Sequence, residues 1–507
     1  MDRTAPLDIA PEEFRRLGHD LVDRLAELLA GIRERPVTPG ETPAEVRALL
    51  GRAPLPTRGT PPHDLLAETV PLLTEHSLYN GHPRFMGYIT SSAAPIGALA
   101  DLLAAAINPN VGGWELSPIA SEIEAQAVRW IAELIGYPRN AGGLLVSGGN
   151  MANLVCFLAA RRAMLGDTVR TTGLAGANAL RLRVYVSAAT HTWVEKAADL
   201  FGLGTDALRW IPCDGGGRMD PAALRARLEE DVAAGDRPLL VVGTAGSVST
   251  GAVDPLRELA AIARERRIWF HVDGAYGAPA AALPDAPEDL RALALADSVA
   301  VDPHKWLYAP IEAGCALVRD PAHLRDAFGY TPSYYKFDTE GEEPPINYYE
   351  LGPQNSRGFR ALKVWLGLRQ AGREGYARMI ADDCRLAGEL YRAAEQHPEI
   401  EAVTLGLSIA TFRYVPAGLT PGPAETESYL NTLNESLVAR LKTGGRLFVT
   451  NALVGERFVL RACIVNFRTT DADVHSVPEL VARAGRALDA ELRPAGLAAG
   501  GARVARS

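Results

Sequence analysis

Short apolar runs alternate with longer amphipathic segments from about residue 140 onward. The runs are typical of buried strands and cover residues 144–146, 182–187, 239–243, 268–272, 298–301 and 315–318. One segment between them, residues 254–267, has helical spacing, with Asp254 as its candidate N-cap and Pro255 at its first position. The alternation predicts an α/β domain with a largely parallel sheet. Ligands of such sheets bind beyond the carboxyl ends of the strands, so the residues that follow each strand are the candidates for function.

The segments on either side of this region have different patterns. Residues 11–35 carry apolar residues at helical spacing, namely Phe14, Leu17, Leu21, Leu25, Leu28 and Leu29. A Pro/Gly-rich connector follows, and an arm of this kind has too little core to be stable alone, so we expect it to pack on another surface such as a partner subunit. Near the other end, a helix, strand-like runs at 409–415 and 458–468, and a final helix predict a smaller α+β domain. We therefore predict an arm over residues 1–85, a large domain over 86–380 and a small domain over 381–507.

The composition is that of a folded, acidic protein. Its hydrophobic content of 47% and charged content of 22% are close to globular averages. A formal net charge of −9 disfavours nucleic-acid and anionic-membrane partners, which attract clustered lysine and arginine. No stretch approaches the roughly 18 apolar residues of a membrane helix, and the first residues lack the basic-then-apolar pattern of a signal peptide. We expect a soluble, cytoplasmic protein that acts on a small molecule.

Cysteine and histidine spacing gives no sign of a disulfide framework or a metal site. The cysteines are odd in number and form no CxxC pair; they are Cys156, Cys213, Cys315, Cys384 and Cys463. The ten histidines form no HExxH pattern. We therefore expect no metal.

A glycine turn follows the first strand of the α/β region. Gly148, Gly149 and Asn150 stand between residues 144–146 and a helix, and the free N–H groups at such a helix start favour phosphate. A Gly-Gly turn is more often only a turn. The stretch is neither GxGxxG nor GxxxxGK[ST], which disfavours a dinucleotide or nucleoside-triphosphate site.

Four further residues at strand ends are candidates for a cofactor site when they are considered together. They are His191, Thr244, Asp273 and Lys305. Separately, each has an ordinary alternative: a structural histidine, a turn former, a helix cap or ion pair, and a surface charge. An unpaired carboxylate after a buried strand would be costly, so Asp273 also suits a partner for a protonated ring nitrogen. Together with the anion-binding turn, this set suits a phosphorylated, nitrogen-containing aromatic cofactor.

The chain resembles the group II pyridoxal-phosphate decarboxylases, and within them the aromatic L-amino-acid decarboxylases, including bacterial members. The resemblance is most specific in HVDGAY (271–276) and PHKW (303–306). It extends over most of the chain through the segments 82–95, 108–124, 146–154, 190–191, 243–254 and 356–365.

The resemblance implies a fold, a cofactor and roles for particular residues. The implied fold is that of the fold type I (aspartate aminotransferase-like) enzymes, and the implied cofactor is pyridoxal 5′-phosphate. The implied roles are Lys305 as the Schiff-base lysine with His304 beside it, Asp273 at the pyridine nitrogen, His191 stacked on the ring, Thr244 and Ala275 as further contacts, and Gly148, Gly149 and Asn150 as the phosphate cradle. Asn150 departs from the family, in which serine or threonine is common at this position. The family also implies a homodimer with shared active sites, completed partly by the arm and by the segment that holds Ser356 and Arg357.

The implied reaction is decarboxylation of an amino acid to its amine. Tyr334, within the loop-like segment 331–345, matches the family's reprotonating tyrosine; the alternative is an exposed loop aromatic. Relatives that form aldehydes tend to carry phenylalanine there, so Tyr334 favours simple decarboxylation. Tyr88, Ile89 and Trp114 match segments of the substrate pocket and would suit an aromatic or large apolar side chain, although they could equally belong to the core.

Three other functions remain open from the sequence. Two are enzymes of the same fold: one that converts its substrate to an aldehyde by decarboxylation-dependent oxidative deamination, and a C–S or β-eliminating lyase. The third is a binding protein without activity, which the presence of both Lys305 and Asp273 disfavours.

Overall fold

The computed structural model describes residues 5–174, 181–330 and 345–497. The strands in these ranges are β1 Gly142–Val146, β2 Leu182–Ser187, β3 Leu208–Ile211, β4 Arg237–Thr244, β5 Trp269–Asp273, β6 Ser298–Val301, β7 Gly314–Val318, β8 Ile400–Gly406, β9 Ile409–Tyr414, β10 Thr450–Val454 and β11 Arg457–Cys463. The α-helices are α1 Pro11–Ala30, α2 Pro43–Leu50, α3 Pro62–Glu75, α4 Pro95–Ile107, α5 Pro118–Leu134, α6 Gly149–Leu165, α7 Thr168–Thr172, α8 Trp193–Leu200, α9 Pro221–Ala233, α10 Leu256–Arg266, α11 Glu288–Arg291, α12 Ala322–Phe328, α13 Ala361–Gln396, α14 Ala424–Thr443 and α15 Asp471–Leu492.

A seven-stranded, mostly parallel sheet forms the centre of the large domain. Its strand order is β1-β7-β6-β5-β4-β2-β3, and only the pairings that involve β7 are antiparallel. Every strand predicted between residues 144 and 318 lies in this sheet, which confirms the predicted α/β fold. The sequence did not predict β3, because it lies at the sheet edge and its inner residues Arg209 and Trp210 are polar or exposed.

Helices cover both faces of this sheet. Along β4, the side chain of Val241 joins one buried cluster, and the side chains of Leu240 and Val242 join the other. The first cluster includes α5, α10 and α13, and the second includes α6 and α8. Because both faces are buried, the strands are continuously apolar, as parallel strands usually are.

The predicted helix near residues 254–267 is present, but its predicted N-cap is wrong. Helix α10 begins at Leu256, and the side chain of Asp254 makes no capping bond. Its buried carboxylate instead accepts the backbone N–H groups of Met219 at 2.7 Å and Thr244 at 2.8 Å. Asp254 therefore holds the end of β4, where a site residue stands.

The small domain has a four-stranded antiparallel sheet in the order β10-β11-β9-β8. Helices α14 and α15 pack on it in a separate buried cluster. Strand β11 ends at Cys463, earlier than the predicted run to residue 468. Helix α13 passes through the predicted boundary at residue 380, so the division between the large and small domains stays a prediction.

The arm is helical, as predicted, but its first helix ends at Ala30 and buries only Leu17. The side chains of Phe14, Leu25 and Leu29 remain exposed in the single chain. Arg33, just beyond the helix, forms an ion pair with Asp473 of the small domain at 2.9 Å. Among the described residues, no helix is long and apolar enough to cross a membrane.

Candidate active site

A cavity of about 590 Å³ opens where the parallel strands of the large sheet end. It collects the residues that follow β1, β2, β4, β5 and β6, as the strand pattern predicted. The predicted site residues that line it are Tyr88, Ile89, Gly148, Gly149, Asn150, His191, Thr244, Asp273, Ala275, His304 and Lys305. One continuous site therefore holds most of the candidates.

Lys305 follows β6 by a tight turn and reaches into this cavity. Its Nζ lies 2.9 Å from Oδ2 of Asp302, a carboxylate that is almost completely buried. Burial acts to lower the pKa of Lys305, but the charges of Asp302 and Asp273 outweigh it and raise this pKa above its ordinary value. Lys305 is therefore an amine in a charged site and not a surface lysine.

Asp273 is the last residue of β5, and two donors fix its carboxylate. The indole N–H of Trp193 donates to Oδ2 at 2.8 Å, and the backbone N–H of Ala275 donates to Oδ1 at 3.2 Å. Trp193 is fully buried. The carboxylate is thereby held in one orientation toward the cavity.

The glycine turn between β1 and α6 has the conformation that a close ligand requires. Gly148 has φ 135°, a value that favours glycine, and Gly149 begins α6. A Cβ atom on Gly149 would lie 2.5 Å from Asp302 Oδ2. The turn thus presents the N-terminus of a 17-residue helix to the cavity without side chains in between.

Thr244, His191 and His304 also line the cavity. Thr244 Oγ1 is buried and has no hydrogen-bond partner among the described residues. His304 Nδ1 donates to the carbonyl of Ala313 at 2.7 Å, which fixes its ring. Partial burial lowers the pKa of His191, although Asp273 opposes this effect, so the ring favours its neutral form.

Among the described residues, one predicted site residue does not line the cavity. Trp114 lies outside its lining, and its indole N–H donates to Glu122 at 2.8 Å. Tyr334 lies outside the described residues. Of the two residues expected near a partner subunit, Ser356 is exposed, whereas Arg357 is buried in its own chain and paired with Glu124.

The sequence reading missed three residues of the site. Asp302 stands directly after the apolar run 298–301, so its position at a strand end was a usable signal. Arg461 lines the cavity from β11, and a charge inside the apolar run FVLRACIV could have marked it. The contact between Trp193 and Asp273 depends on the packing of α8 on β5, for which the sequence offers no signal.

The residues present fit pyridoxal phosphate. A buried hydroxyl without a partner at Thr244, a glycine turn at a helix N-terminus and a fixed carboxylate at Asp273 are complementary to a phosphorylated pyridine. Lys305 supplies an amine in the same cavity. Lys305, Asp273, Thr244 and the turn at Gly148 would hold the cofactor.

Comparisons with known proteins agree with this geometry. The family model of the pyridoxal-dependent decarboxylase conserved domain matches residues 46–415. An aromatic-L-amino-acid decarboxylase of Bacillus atrophaeus is 32% identical over 92% of this chain and 94% of its own length. A phenylacetaldehyde synthase of a Rosa hybrid cultivar is 29% identical over 90% of each chain. The crystal structure of Oryza sativa TDC with PLP and tryptamine superposes with a TM-score of 0.87 at 28% identity, covering 96% of this chain and 100% of that one. The chain therefore belongs to the pyridoxal-dependent decarboxylase family and is a carboxy-lyase that uses pyridoxal phosphate.

Proposed function

We propose that this enzyme decarboxylates an aromatic L-amino acid to the corresponding amine and CO₂. The observation that carries the proposal is the convergence of Lys305, Asp273 and Thr244 with the glycine turn on one cavity. Bound there, pyridoxal phosphate would accept electrons from a bond at Cα of the substrate, and the bond that breaks is the one held perpendicular to its ring. The orientation of the substrate, set by the protein, therefore decides the reaction.

The cavity walls support a large apolar side chain. Tyr88, Ile89 and Val248 line the cavity, and the Tyr88 ring is 53% exposed. A second aromatic ring, that of Phe448, lies 6.1 Å from the Tyr88 ring, centroid to centroid. An aromatic substrate could extend this cluster. The relatives named for aromatic substrates and products support the same substrate class.

Arg461 supplies positive charge for the substrate carboxylate. Its buried guanidinium lines the cavity, where the nearby carboxylates of Asp273 and Asp302 would otherwise repel an anion. Its Nε donates to Thr450 Oγ1 at 3.1 Å, and its Nη1 donates to the carbonyl of Val248. It forms no ion pair with a described carboxylate, so its charge remains free to attract one.

Tyr334 returns the proton to Cα in this proposal. The support comes from its match to the family's loop tyrosine, since the residue lies outside the described ranges. A phenol is a suitable acid for this step.

We also propose that the enzyme is a cytoplasmic homodimer with shared active sites. The arm leaves the side chains of Phe14, Leu25 and Leu29 exposed, and α4 leaves Leu99 and Leu102 exposed. An exposed apolar surface of this kind favours burial against a second copy. Light scattering should give twice the chain mass of 54.2 kDa.

The five cysteines are all unpaired, which supports a reducing compartment.

A panel of L-amino acids tests the reaction and the substrate together. The loaded enzyme is incubated with Phe, Tyr, Trp, Dopa, Glu and Cys, and CO₂, amine, aldehyde, peroxide, sulfide and keto acid are measured in each sample. We expect CO₂ and the matching amine in equal amounts from at least one aromatic substrate. Aldehyde with peroxide would instead indicate oxidative deamination, and sulfide or keto acid without CO₂ would indicate elimination.

A further inference from the structure

The turn after β6 directs the carboxylate of Asp302 at Lys305. The backbone N–H of Asp302 donates to the carbonyl of Ala275 at 3.1 Å, and the backbone N–H of Lys305 donates to the carbonyl of Asp302 at 2.9 Å. These bonds fix the backbone on both sides of the turn. The side chains of the two residues then meet, with Nζ 2.9 Å from Oδ2.

The two oxygens of Asp302 differ in their bonding. Oδ2 faces Lys305 Nζ, and His304 Nε2 lies 3.8 Å from it. Oδ1 is buried and has no hydrogen-bond partner among the described residues. Buried carboxylate oxygens are normally bonded, as both oxygens of Asp273 are. Oδ2 is therefore the oxygen of Asp302 that has partners, and Lys305 Nζ is the nearer of them.

Asp302 also lies beside the glycine turn proposed for the phosphate. A Cβ atom on Gly149 would come within 2.5 Å of Asp302 Oδ2, so the glycine leaves room for this carboxylate. Asp302 therefore lies against both Lys305 Nζ and the turn proposed for the phosphate, where it is in position to accept a proton from that amine.

We propose that Asp302 is a catalytic residue that exchanges a proton with Lys305 Nζ. When the amine must attack, its N–H bond breaks, an O–H bond forms at Asp302 Oδ2, and the electron pair stays on nitrogen. When the amine is released, the proton returns to it. The proposal rests on the covalent role of Lys305 and deepens the proposed function.

Several charged or titratable groups lie around Lys305 besides Asp302. They are Asp273, His191, His304, Arg461 and Cys463. Of these, Asp273 is the carboxylate, and its charge stabilises the ammonium form as that of Asp302 does. Removal of the Asp302 charge alone should therefore make Lys305 easier to deprotonate.

Lysine labelling on the full chain without cofactor measures this effect directly. The sequence has five lysines, Lys196, Lys305, Lys336, Lys363 and Lys442, so each can be followed by peptide mass spectrometry after acetylation with acetic anhydride across a pH series. Only the neutral amine reacts, so the midpoint of each curve reports the pKa of that lysine. In Asp302→Asn we expect the Lys305 midpoint to fall by about one unit or more. In Asp302→Glu, which keeps a carboxylate, we expect it to stay closer to the unsubstituted value.

A second lysine–aspartate pair provides the matched control. Lys363 Nζ lies 3.1 Å from Asp101 Oδ2, away from the cavity and with Asp101 more exposed. Asp101→Asn should leave the Lys305 midpoint unchanged, and Asp302→Asn should leave the Lys363 midpoint unchanged. An unaltered Lys305 midpoint in Asp302→Asn would overturn the proposal, as would equal midpoints for the asparagine and glutamate variants.

Turnover of the loaded enzyme separates this proposal from the reaction itself. We expect Asp302→Asn to lower kcat about a hundredfold with little change in KM, because proton exchange at Lys305 is impaired. If Asp302→Asn shifts the labelling midpoint of Lys305 but the unsubstituted enzyme releases no CO₂ from any amino acid, the proposed reaction is refuted. The interaction between Asp302 and Lys305 would still stand. Full kcat in Asp302→Asn would refute the catalytic role of Asp302 and leave the reaction intact.

Discussion

Asp302 and Glu124 are both buried carboxylates paired with a basic side chain, yet their surroundings differ. Both oxygens of Glu124 have donors: Oε1 accepts the backbone N–H of Leu145 at 2.9 Å, and Arg357 bonds to Oε1 and Oε2. Arg357 also donates to the carbonyls of Val111 and Leu145. Asp302 has one oxygen on Lys305 and one without a partner.

The difference separates a pair that holds the fold from a pair that can react. The Glu124 pair connects α5, the end of β1 and the segment before α13, and its carboxylate is fully bonded. The Lys305 pair opens onto the cavity, and Thr244 Oγ1 beside it is also without a partner. Buried polar atoms without partners are uncommon, so the two on residues that line this cavity, Thr244 and Asp302, favour a ligand site there.

The largest effect on the reactive pair should come from Lys305→Ala. We expect turnover to fall by roughly a thousandfold or more, because the proposed covalent anchor and its proposed proton exchange are lost together. The circular dichroism spectrum should be retained. Lys196→Ala, an exposed lysine on α8, is the control and should keep its turnover. Normal turnover in Lys305→Ala would remove Lys305 from the mechanism.

The fold-holding pair should instead respond in stability. Arg357→Met leaves Glu124 buried without its counter-charge, and we expect the free energy of unfolding to fall by about 3–5 kcal/mol in denaturant titrations. Adding Glu124→Gln should recover part of that loss, since no unpaired charge remains. The exposed pair of Arg225 and Glu265, 2.9 Å apart, is the control, and Arg225→Gln should cost less than about 1 kcal/mol. Equal costs at the two sites would contradict the assignment.

Asp383 gives a test that depends on pH. Its buried carboxylate accepts hydrogen bonds from the indole N–H of Trp306 at 2.8 Å and the hydroxyl of Tyr308 at 2.5 Å. Both residues belong to the segment that directly follows Lys305 in the chain. Burial raises the pKa of Asp383 to about 7. Between about pH 4 and pH 7, Asp383 is therefore protonated in the folded state and ionised in the unfolded state. The free energy of unfolding that depends on this carboxyl falls as the pH rises through that range.

The comparison of Asp383→Asn with the unsubstituted chain isolates this contribution. We expect the unsubstituted chain to lose about 1 kcal/mol more per pH unit across the window than the variant does. Denaturant titrations of both chains at pH 4.5, 5.5 and 6.5 give the two slopes. Parallel slopes would show that Asp383 keeps its ordinary pKa in the folded chain.

Thr244→Val should have the smallest effect of these substitutions. We expect different effects on the chain without cofactor and on the chain with bound pyridoxal phosphate. Without cofactor, the loss of a buried hydroxyl without a partner should leave stability unchanged or slightly increased. With cofactor, we expect the dissociation constant of pyridoxal phosphate to rise about tenfold, measured by absorbance titration. An unchanged dissociation constant would mean that Thr244 does not bind the cofactor.

The sequence predicted the large sheet and most of the cavity because both depend on one local rule. Each of Thr244, Asp273 and Lys305 follows an apolar run, and parallel strands bring their carboxyl ends to one edge. The edge strand β3 broke the rule, because its solvent-facing residues remove the continuous apolar pattern.

The remaining features depend on contacts between distant segments. Asp254 was expected to cap α10, but the buried backbone N–H groups of Met219 and Thr244 take both its oxygens. Arg461 reaches the cavity from the small domain, about 150 residues beyond Lys305 in the chain. Trp114 has the large aromatic side chain expected of a substrate pocket, but it lies outside the cavity lining and its indole N–H bonds to Glu122. No periodicity encodes such placements, since they follow from how the domains pack.

Borohydride trapping identifies the lysine to which the cofactor is bound. The loaded enzyme is reduced, digested, and searched by mass spectrometry for the peptide that carries the reduced cofactor. We predict modification of Lys305, with Lys196, Lys336, Lys363 and Lys442 unmodified. An unmodified Lys305, or cofactor on any other lysine, would contradict it.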